Sequence, residues 1–185
     1  VVGRVVELNQ AELEILERDI EALKKVVAPF YMITHAEAVK KLQEMGSDIK
    51  EDQDLGGDDE TTLSKEYDKP VFIEKYPAKI KAFYMKRDSE NEDLALCADL
   101  LAPEGYGEIV GGSEREDDYE KLVTRFEEFK LDRKDFEWYL DLRRYGSVPH
   151  SGFGIGLERL VSWICGIKHV RETIPFPRLI NRLSP

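Results

Sequence analysis

The chain has 185 residues, enough for one domain with a real core and cramped for two. Its 42% hydrophobic and 35% charged residues are the composition of a globular protein, and no apolar run approaches the roughly 18–20 residues that cross a bilayer. The net charge of −11 argues against a chain whose own surface grips nucleic acid through a basic face.

Val1-Val2 opens without an initiator Met or a signal-peptide pattern, which reads as a piece of a longer protein. From Val5 to Val27 apolar residues such as Leu13, Leu16, Ile20 and Leu23 recur at helical spacing. This predicts one amphipathic helix ending before Pro29. Thr34 followed by Glu37 is a capping box, predicting a helix over His35–Met45 that Gly46 stops. Residues 47–69 are acidic and read as a solvated loop, with an ion site as the alternative. Val71–Tyr76, Ala82–Lys86, Leu94–Leu101 and Glu108–Gly112 are β-rich and joined by short polar links, the pattern of an antiparallel sheet. Helices are expected at Asp117–Lys130, Arg133–Tyr145 and Ile155–Cys165, the last closed by Gly166. This order lacks βαβ regularity, so the expected fold class is α+β, an antiparallel sheet with flanking helices. Cys97 and Cys165 lie far apart among apolar neighbours and read as free thiols of a cytosolic protein. With His35, His150 and His169 they give a Cys/His zinc site nothing to build on.

Three segments carry chemistry. In Gly107–Glu116, two glycines follow a glutamate in an apolar strand, so a ligand can lie close to the backbone. Alternation puts Glu108 and Gly112 on one face, with Ser113 and Arg115 near the strand end. A carboxylate there suits a hard cation bound to phosphate oxygens, and Arg115 offers a planar fork to a carbonyl, carboxylate or phosphate. A β-bulge with a surface salt bridge accounts for the same residues. In Gly152–Leu160 the glycines 152, 154 and 156 alternate, unlike a dinucleotide fingerprint or a P-loop. They describe a strand with one bare face leading into a helix at Leu157, whose Arg159 can reach back to phosphates on a flat ligand. A tightly packed strand–helix junction is the other reading. His150 precedes that strand and either lines the pocket or is structural. Ser151 beside it lacks the nucleophile elbow of a hydrolase.

Together these segments resemble class II aminoacyl-tRNA synthetases of the subgroup serving Asp, Asn and Lys. Gly152–Leu160 is similar to that class's third signature motif, which assigns Arg159 to the ATP tail and places Gly154, Gly156, Leu157 and Glu158 beside the nucleotide. The resemblance makes Asp99 and Glu108 the carboxylates that hold Mg²⁺ on ATP. It puts Ser113 and His150 at the substrate and makes Arg115 the reader of the amino-acid side chain. The runs Ile80–Lys86, Ala102–Ile109, Tyr139–Gly146 and Ile174–Arg178, and Ser151 with Phe153, resemble the asparaginyl branch.

The resemblance implies the C-terminal part of a catalytic domain, with a helical insertion over about 1–69 and the sheet and third-motif core over about 70–185. It further implies ATP-dependent activation of asparagine and transfer to tRNA in a cytoplasmic homodimer. The tRNA would be gripped mainly by regions outside this chain, since the family's first two motifs and its anticodon-binding barrel do not occur in it. Two other functions fit: an asparagine- or amide-forming relative that acts through an aspartyl-adenylate without tRNA, and a non-catalytic domain that binds nucleotide or a partner.

Overall fold

In the computed structural model, which describes residues 1–184, five strands form one sheet in chain order: β1 (Tyr31–Thr34), β2 (Val71–Glu74), β3 (Cys97–Ala102), β4 (Gly107–Glu114) and β5 (Ser151–Ile155). The pairs β2–β3, β3–β4 and β4–β5 are antiparallel as expected, but β1 runs parallel to β2. A parallel neighbour needs a long crossover. The residues between the two strands supply it with α4 (His35–Glu44) and α5 (Gly57–Ser64). The stretch expected to be helical over about 1–69 therefore contributes a strand to the sheet as well.

Alternation along the strands sends apolar side chains to both faces. On one face Val71, Ile73, Cys97 and Leu101 pack against Ala38, Val39 and Leu42 of α4 and Leu63 of α5. On the other, Ala102 and Ile109 meet Trp163 and Ile164 of α8 (Leu157–Cys165). Val2, Leu13 and Leu23 of α1 (Val2–Leu8), α2 (Gln10–Ile15) and α3 (Ile20–Lys24) join them. A third, smaller core joins Leu122 and Phe126 of α6 (Tyr119–Glu128) to Leu140 of α7 (Glu137–Arg144), with Phe83 wedged among Phe126, Phe136 and Tyr139.

The capping box at Thr34 forms as predicted, Glu37 N donating to Thr34 Oγ1 and Thr34 N to Glu37 Oε2, and Gly46 closes that helix at φ +96°. The single helix predicted over Val5–Val27 is three. Asn9 breaks it once, and Glu17 breaks it again in the left-handed region at φ +55°. The second break turns Arg18 inward, where it donates to Ile164 O at 3.1 Å and to both oxygens of Glu104 at 3.0 and 2.6 Å. Apolar periodicity cannot register a break made by a buried arginine.

Part of the acidic stretch 47–69 is helix rather than loop. Asp58, Asp59 and Glu60 occupy the first turn of α5, where negative charge suits the helix dipole. The expected strand Ala82–Lys86 is a turn, because Phe83 is committed to the third core. Its pairing is limited to isolated bridges such as Met85 with Arg115. The start of the helix predicted over Arg133–Tyr145 is one 3₁₀ turn, Arg133–Phe136. Both cysteines are free thiols. Burial pushes that of Cys97 up to about 11.

One buried ion pair ties the third core to the sheet. Arg125 of α6 meets Glu116 at 2.7 Å, with side-chain exposures of 6% and 2%. Arg125 also donates to Met85 O, and Arg143 donates to Glu116 O at 3.0 Å. Glu116→Ala strands the Arg125 guanidinium and should lower the unfolding free energy by about 3–5 kcal/mol, measured by urea denaturation. Glu116→Gln, which keeps an acceptor, should lose less. A loss below about 1 kcal/mol for Glu116→Ala would mean that the pair is solvent-screened.

Candidate active site

One extra residue in β4 builds the centre of the site. The register with β3 runs Cys97–Ser113, Asp99–Gly111 and Leu100–Val110, then slips so that Leu101 faces Glu108. Ile109 is the bulged residue, and both it and Val110 turn to the α8 core. Strict alternation would have put Glu108 with Gly112. The bulge instead puts it on the face of Gly111, Ser113 and Asp99. A Cβ on Gly111 would lie 2.7 Å from Glu108 Oε1 and 3.2 Å from Asp99 Oδ1, so glycine there lets two carboxylates converge.

Asp99 is held through its carboxylate, and Glu108 through its backbone N–H. Lys81 Nζ lies 3.0 Å from Asp99 Oδ2 and 3.1 Å from Asp54, and sits 3.7 Å over the ring of buried Tyr76. Burial pulls the Lys81 ammonium down, but Asp99 and Asp54 outweigh it and hold it above its ordinary value. With Oδ2 engaged, Asp99 keeps Oδ1 toward Glu108. Glu60 of α5 accepts from Glu108 N at 3.0 Å. Burial first, then the charge of Asp99, raises Glu108. Burial also raises Glu60, with the Glu108 N–H opposing and the Glu108 charge adding.

Among the described residues no three His, Cys, Asp or Glu side chains converge into a metal site. Two carboxylates are nonetheless what Mg²⁺ asks of a protein when phosphate oxygens and water complete its shell. Asp99 and Glu108 fit that role.

Across Gly111 lies Gly154 of β5, and a Cβ there would touch nothing within 4 Å. The pair Gly111–Gly154 is a bare floor beside the carboxylates. Gly156 ends β5, its N donating to Ile109 O at 2.9 Å, and Leu157 and Glu158 begin α8. Arg159 follows, half exposed. It donates to Glu108 O at 2.7 Å and stands 3.9 Å from Glu60 Oε2.

The glycine at 152 has a different cause: a Cβ there would meet the Arg115 guanidinium at 3.0 Å. Arg115 donates to Gly152 O at 3.3 Å and stacks 4.6 Å over Tyr84. It does not make the surface salt bridge with Glu114 or Glu116 that the bulge reading offered. Those carboxylates pair with Lys86 and Arg125. Tyr84, Tyr139, Arg143 and His150 line an adjoining open depression of about 380 Å³. Ser113 is buried between Cys97 and Gly152, its Oγ without a hydrogen-bond partner among the described residues. His150 is exposed. Its ring is fixed by Val148 O at 2.8 Å, and its backbone O accepts from Arg115 N.

The structure thus joins Asp99, Glu108, Gly154, Gly156 and Arg159 in one region, and Arg115 and His150 in another, four residues or roughly 13 Å along the strands from the Gly111–Gly154 pair. Glu60, Asp54 and Lys81 were not singled out as site residues from sequence, nor was Arg143. Arg143 had a signal: it falls three residues after Leu140, on the apolar face of α7. The other three had none, since nothing local to 47–69 or 80–86 marks contact with β3 and β4.

A largely antiparallel sheet, a glycine-stripped strand running into a helix led by an arginine, and two convergent carboxylates suit a polyphosphate ligand. Residues 3–180 match tRNA synthetases class II (D, K and N), and the chain belongs to that family. The asparagine–tRNA ligase of Symbiobacterium thermophilum is 58% identical over 191 residues, covering all of this chain and 44% of that protein. The crystal structure of asparaginyl-tRNA synthetase from Pyrococcus horikoshii superposes with a TM-score of 0.96 at 52% identity, over the whole chain and 44% of that one. Its complex with asparaginyl-adenylate gives the same score and identity, over the whole chain and 42% of that one. The aspartyl tRNA synthetase from Entamoeba histolytica follows at 0.87 and 29%, over the whole chain and 39% of that one. The chain therefore spans less than half the length of these relatives.

The raised Glu108 and Glu60 carboxyls predict a pH effect. A carboxyl raised in the folded state favours folding below its unfolded value, and that contribution is lost as pH rises through the folded value. At neutral pH both charges therefore weigh against the fold. Glu108→Gln should raise the melting temperature at pH 7, the gap to wild type closing below about pH 4. Thermal melts from pH 3 to 7 measure it, and a lower melting temperature at pH 7 would show that Glu108 is held by attraction instead.

Proposed function

We propose that the chain is the C-terminal part of the catalytic domain of an asparaginyl-tRNA synthetase, with residues 1–69 flanking the sheet and third-motif core of 70–185. The longer enzyme activates asparagine with ATP and passes it to tRNA as a homodimer in the cytoplasm, gripping the tRNA mainly through regions outside this chain. The observation that carries the reading is the convergence of Asp99 and Glu108 over Gly111, beside the bare Gly154 and within one side chain's reach of Arg159. It is supported by the Pyrococcus horikoshii relative, whose crystals hold asparaginyl-adenylate.

In this reaction the asparagine carboxylate attacks the α-phosphate in line and pyrophosphate leaves, so the protein works by positioning and charge stabilisation. The floor of Gly154 and Gly156 seats the flat base, with Leu157 and Glu158 at its edge. Arg159 has half of its side chain in solvent, so it can leave Glu108 O for the phosphate tail. Asp99 and Glu108 would hold Mg²⁺, which when bound supplies positive charge to the phosphate oxygens. Burial and then the charge of Asp99 raise Glu108, and such a cation relieves the second. Arg115 presents its fork to the side-chain oxygen of asparagine, with the Ser113 hydroxyl and His150 bordering the substrate. An arginine donates as readily to aspartate as to asparagine, so discrimination needs an acceptor facing the amide nitrogen.

Asparagine-dependent ATP–pyrophosphate exchange by an enzyme of the relatives' full length tests the reading. Arg159→Ala there should weaken ATP use by about ten- to a hundredfold, the worth of one charge-assisted hydrogen bond, and leave asparagine affinity intact. ATP KM and kcat both within twofold of wild type would make Arg159 a helix-surface residue. Arg115→Ala should abolish asparagine activation without creating activity on aspartate, and Arg115→Lys should recover little because the planar fork is lost. Near-normal kcat/KM for asparagine in Arg115→Ala would confine Arg115 to holding β5 through Gly152.

A further inference from the structure

Arg159 and Glu60 also line a second, polar cavity of about 710 Å³, bounded by α5, the turn between β3 and β4, and the segment after α8. Two lysines face it, Lys65 from α5 and Lys168 from beyond Gly166. Lys65 lies over the turn, where a Cβ on Gly105 would come within 2.9 Å of its Cε. The two carboxylates in the lining are already engaged. Glu60 accepts from Glu108 N and stands 3.9 Å from Arg159, and Glu104 takes two of the three hydrogen bonds of Arg18. Among the described residues neither lysine forms an ion pair. In a chain with 38 acidic and 27 basic residues, three cations facing one concavity against Glu60 and Glu104, the latter paired with Arg18 from outside it, leave a local excess of positive charge.

We propose that this cavity is a phosphate-anion subsite that receives pyrophosphate as it leaves the nucleotide, an inference that rests on the ATP reading above. Arg159 is the shared wall, lining the cavity while its guanidinium reaches the backbone of Glu108 at the carboxylate centre. The phosphates it holds therefore lie at the lip of the cavity, with Lys65 and Lys168 beyond. Lysine suits this task, since its hydrated ammonium attracts a phosphate as a point charge without the bidentate fork that would hold the product tightly. The concave lining favours a small free anion over a polymer backbone.

Calorimetric titration of the chain with sodium pyrophosphate, and separately with AMP, tests this. Wild type should bind pyrophosphate at millimolar concentration or below. Lys65→Ala with Lys168→Ala should weaken it about tenfold or more, as expected for two lost charge-assisted hydrogen bonds. Lys65→Arg with Lys168→Arg should restore binding, and AMP affinity should not change in either variant. Both lysines are exposed, so the variants should melt with wild type. No pyrophosphate binding by wild type, or binding unaltered in the double alanine variant, overturns the subsite. So does equal displacement by a short oligouridylate at the same phosphate concentration, which would make the lysines an RNA-backbone contact. Loss of AMP binding by wild type, with pyrophosphate binding still lysine-dependent, would remove the nucleotide floor and leave the subsite standing.

Discussion

The site depends on where a single glutamate points. Had β4 kept strict alternation, Glu108 would have faced the core that Ile109 and Val110 share with Trp163 and Ile164. A charge there would be buried without a partner, which costs several kcal/mol. The bulge at Ile109 gives the core its two aliphatic side chains and turns Glu108 to the face of Asp99. Gly111 follows from the same constraint, because any side chain at that position would occupy the space where the two carboxylates meet.

Of the convergent carboxylates, Asp99 is paired with a cation and Glu108 is left without one. Lys81 takes one oxygen of Asp99 and shares its charge with Asp54, while the Glu108 backbone N–H steadies Glu60. Burial and mutual repulsion leave Glu60 and Glu108 more readily protonated than ordinary carboxyls. This is a ground state that a divalent cation improves, and strain of this kind is stored at functional sites while stability comes from elsewhere. Here it comes from the two cores on either side of the sheet.

The layers also divide the labour. Helices α4 and α5 cover the β1–β3 end of the carboxylate face, and α5 sends Glu60 toward β4 at the margin. Over β4 and β5 that face carries Glu108, Ser113 and the glycines 111, 152 and 154, and it stays bare at Gly154. At the far end of β4 the third core fixes Tyr84, Tyr139 and Arg143 around Arg115. The convergent carboxylates and the Arg115 fork are thus placed along one strand, with two different cores supporting them.

The sequence by itself determined much of this. Hydrophobic alternation and capping located β2, β4, α4, α6 and α8 to within a few residues, because those signals are local. The alternating glycines marked β5 and its run into α8, and Arg159 and Arg115 stood out against them. Chain order and spacing could not determine contacts between distant segments. The break at Arg18 exists because Glu104 and the end of α8 await its guanidinium. The acidic stretch 47–69 reads as solvated until α5 is packed on β3, when Glu60 and Asp54 become neighbours of the site. The bulge at Ile109 is decided by competition between two faces of a sheet, so it needs both cores in place. Fold class and the leading residues are legible in one dimension. Which carboxylates meet, and which cation faces them, is settled only when the sheet is packed from both sides.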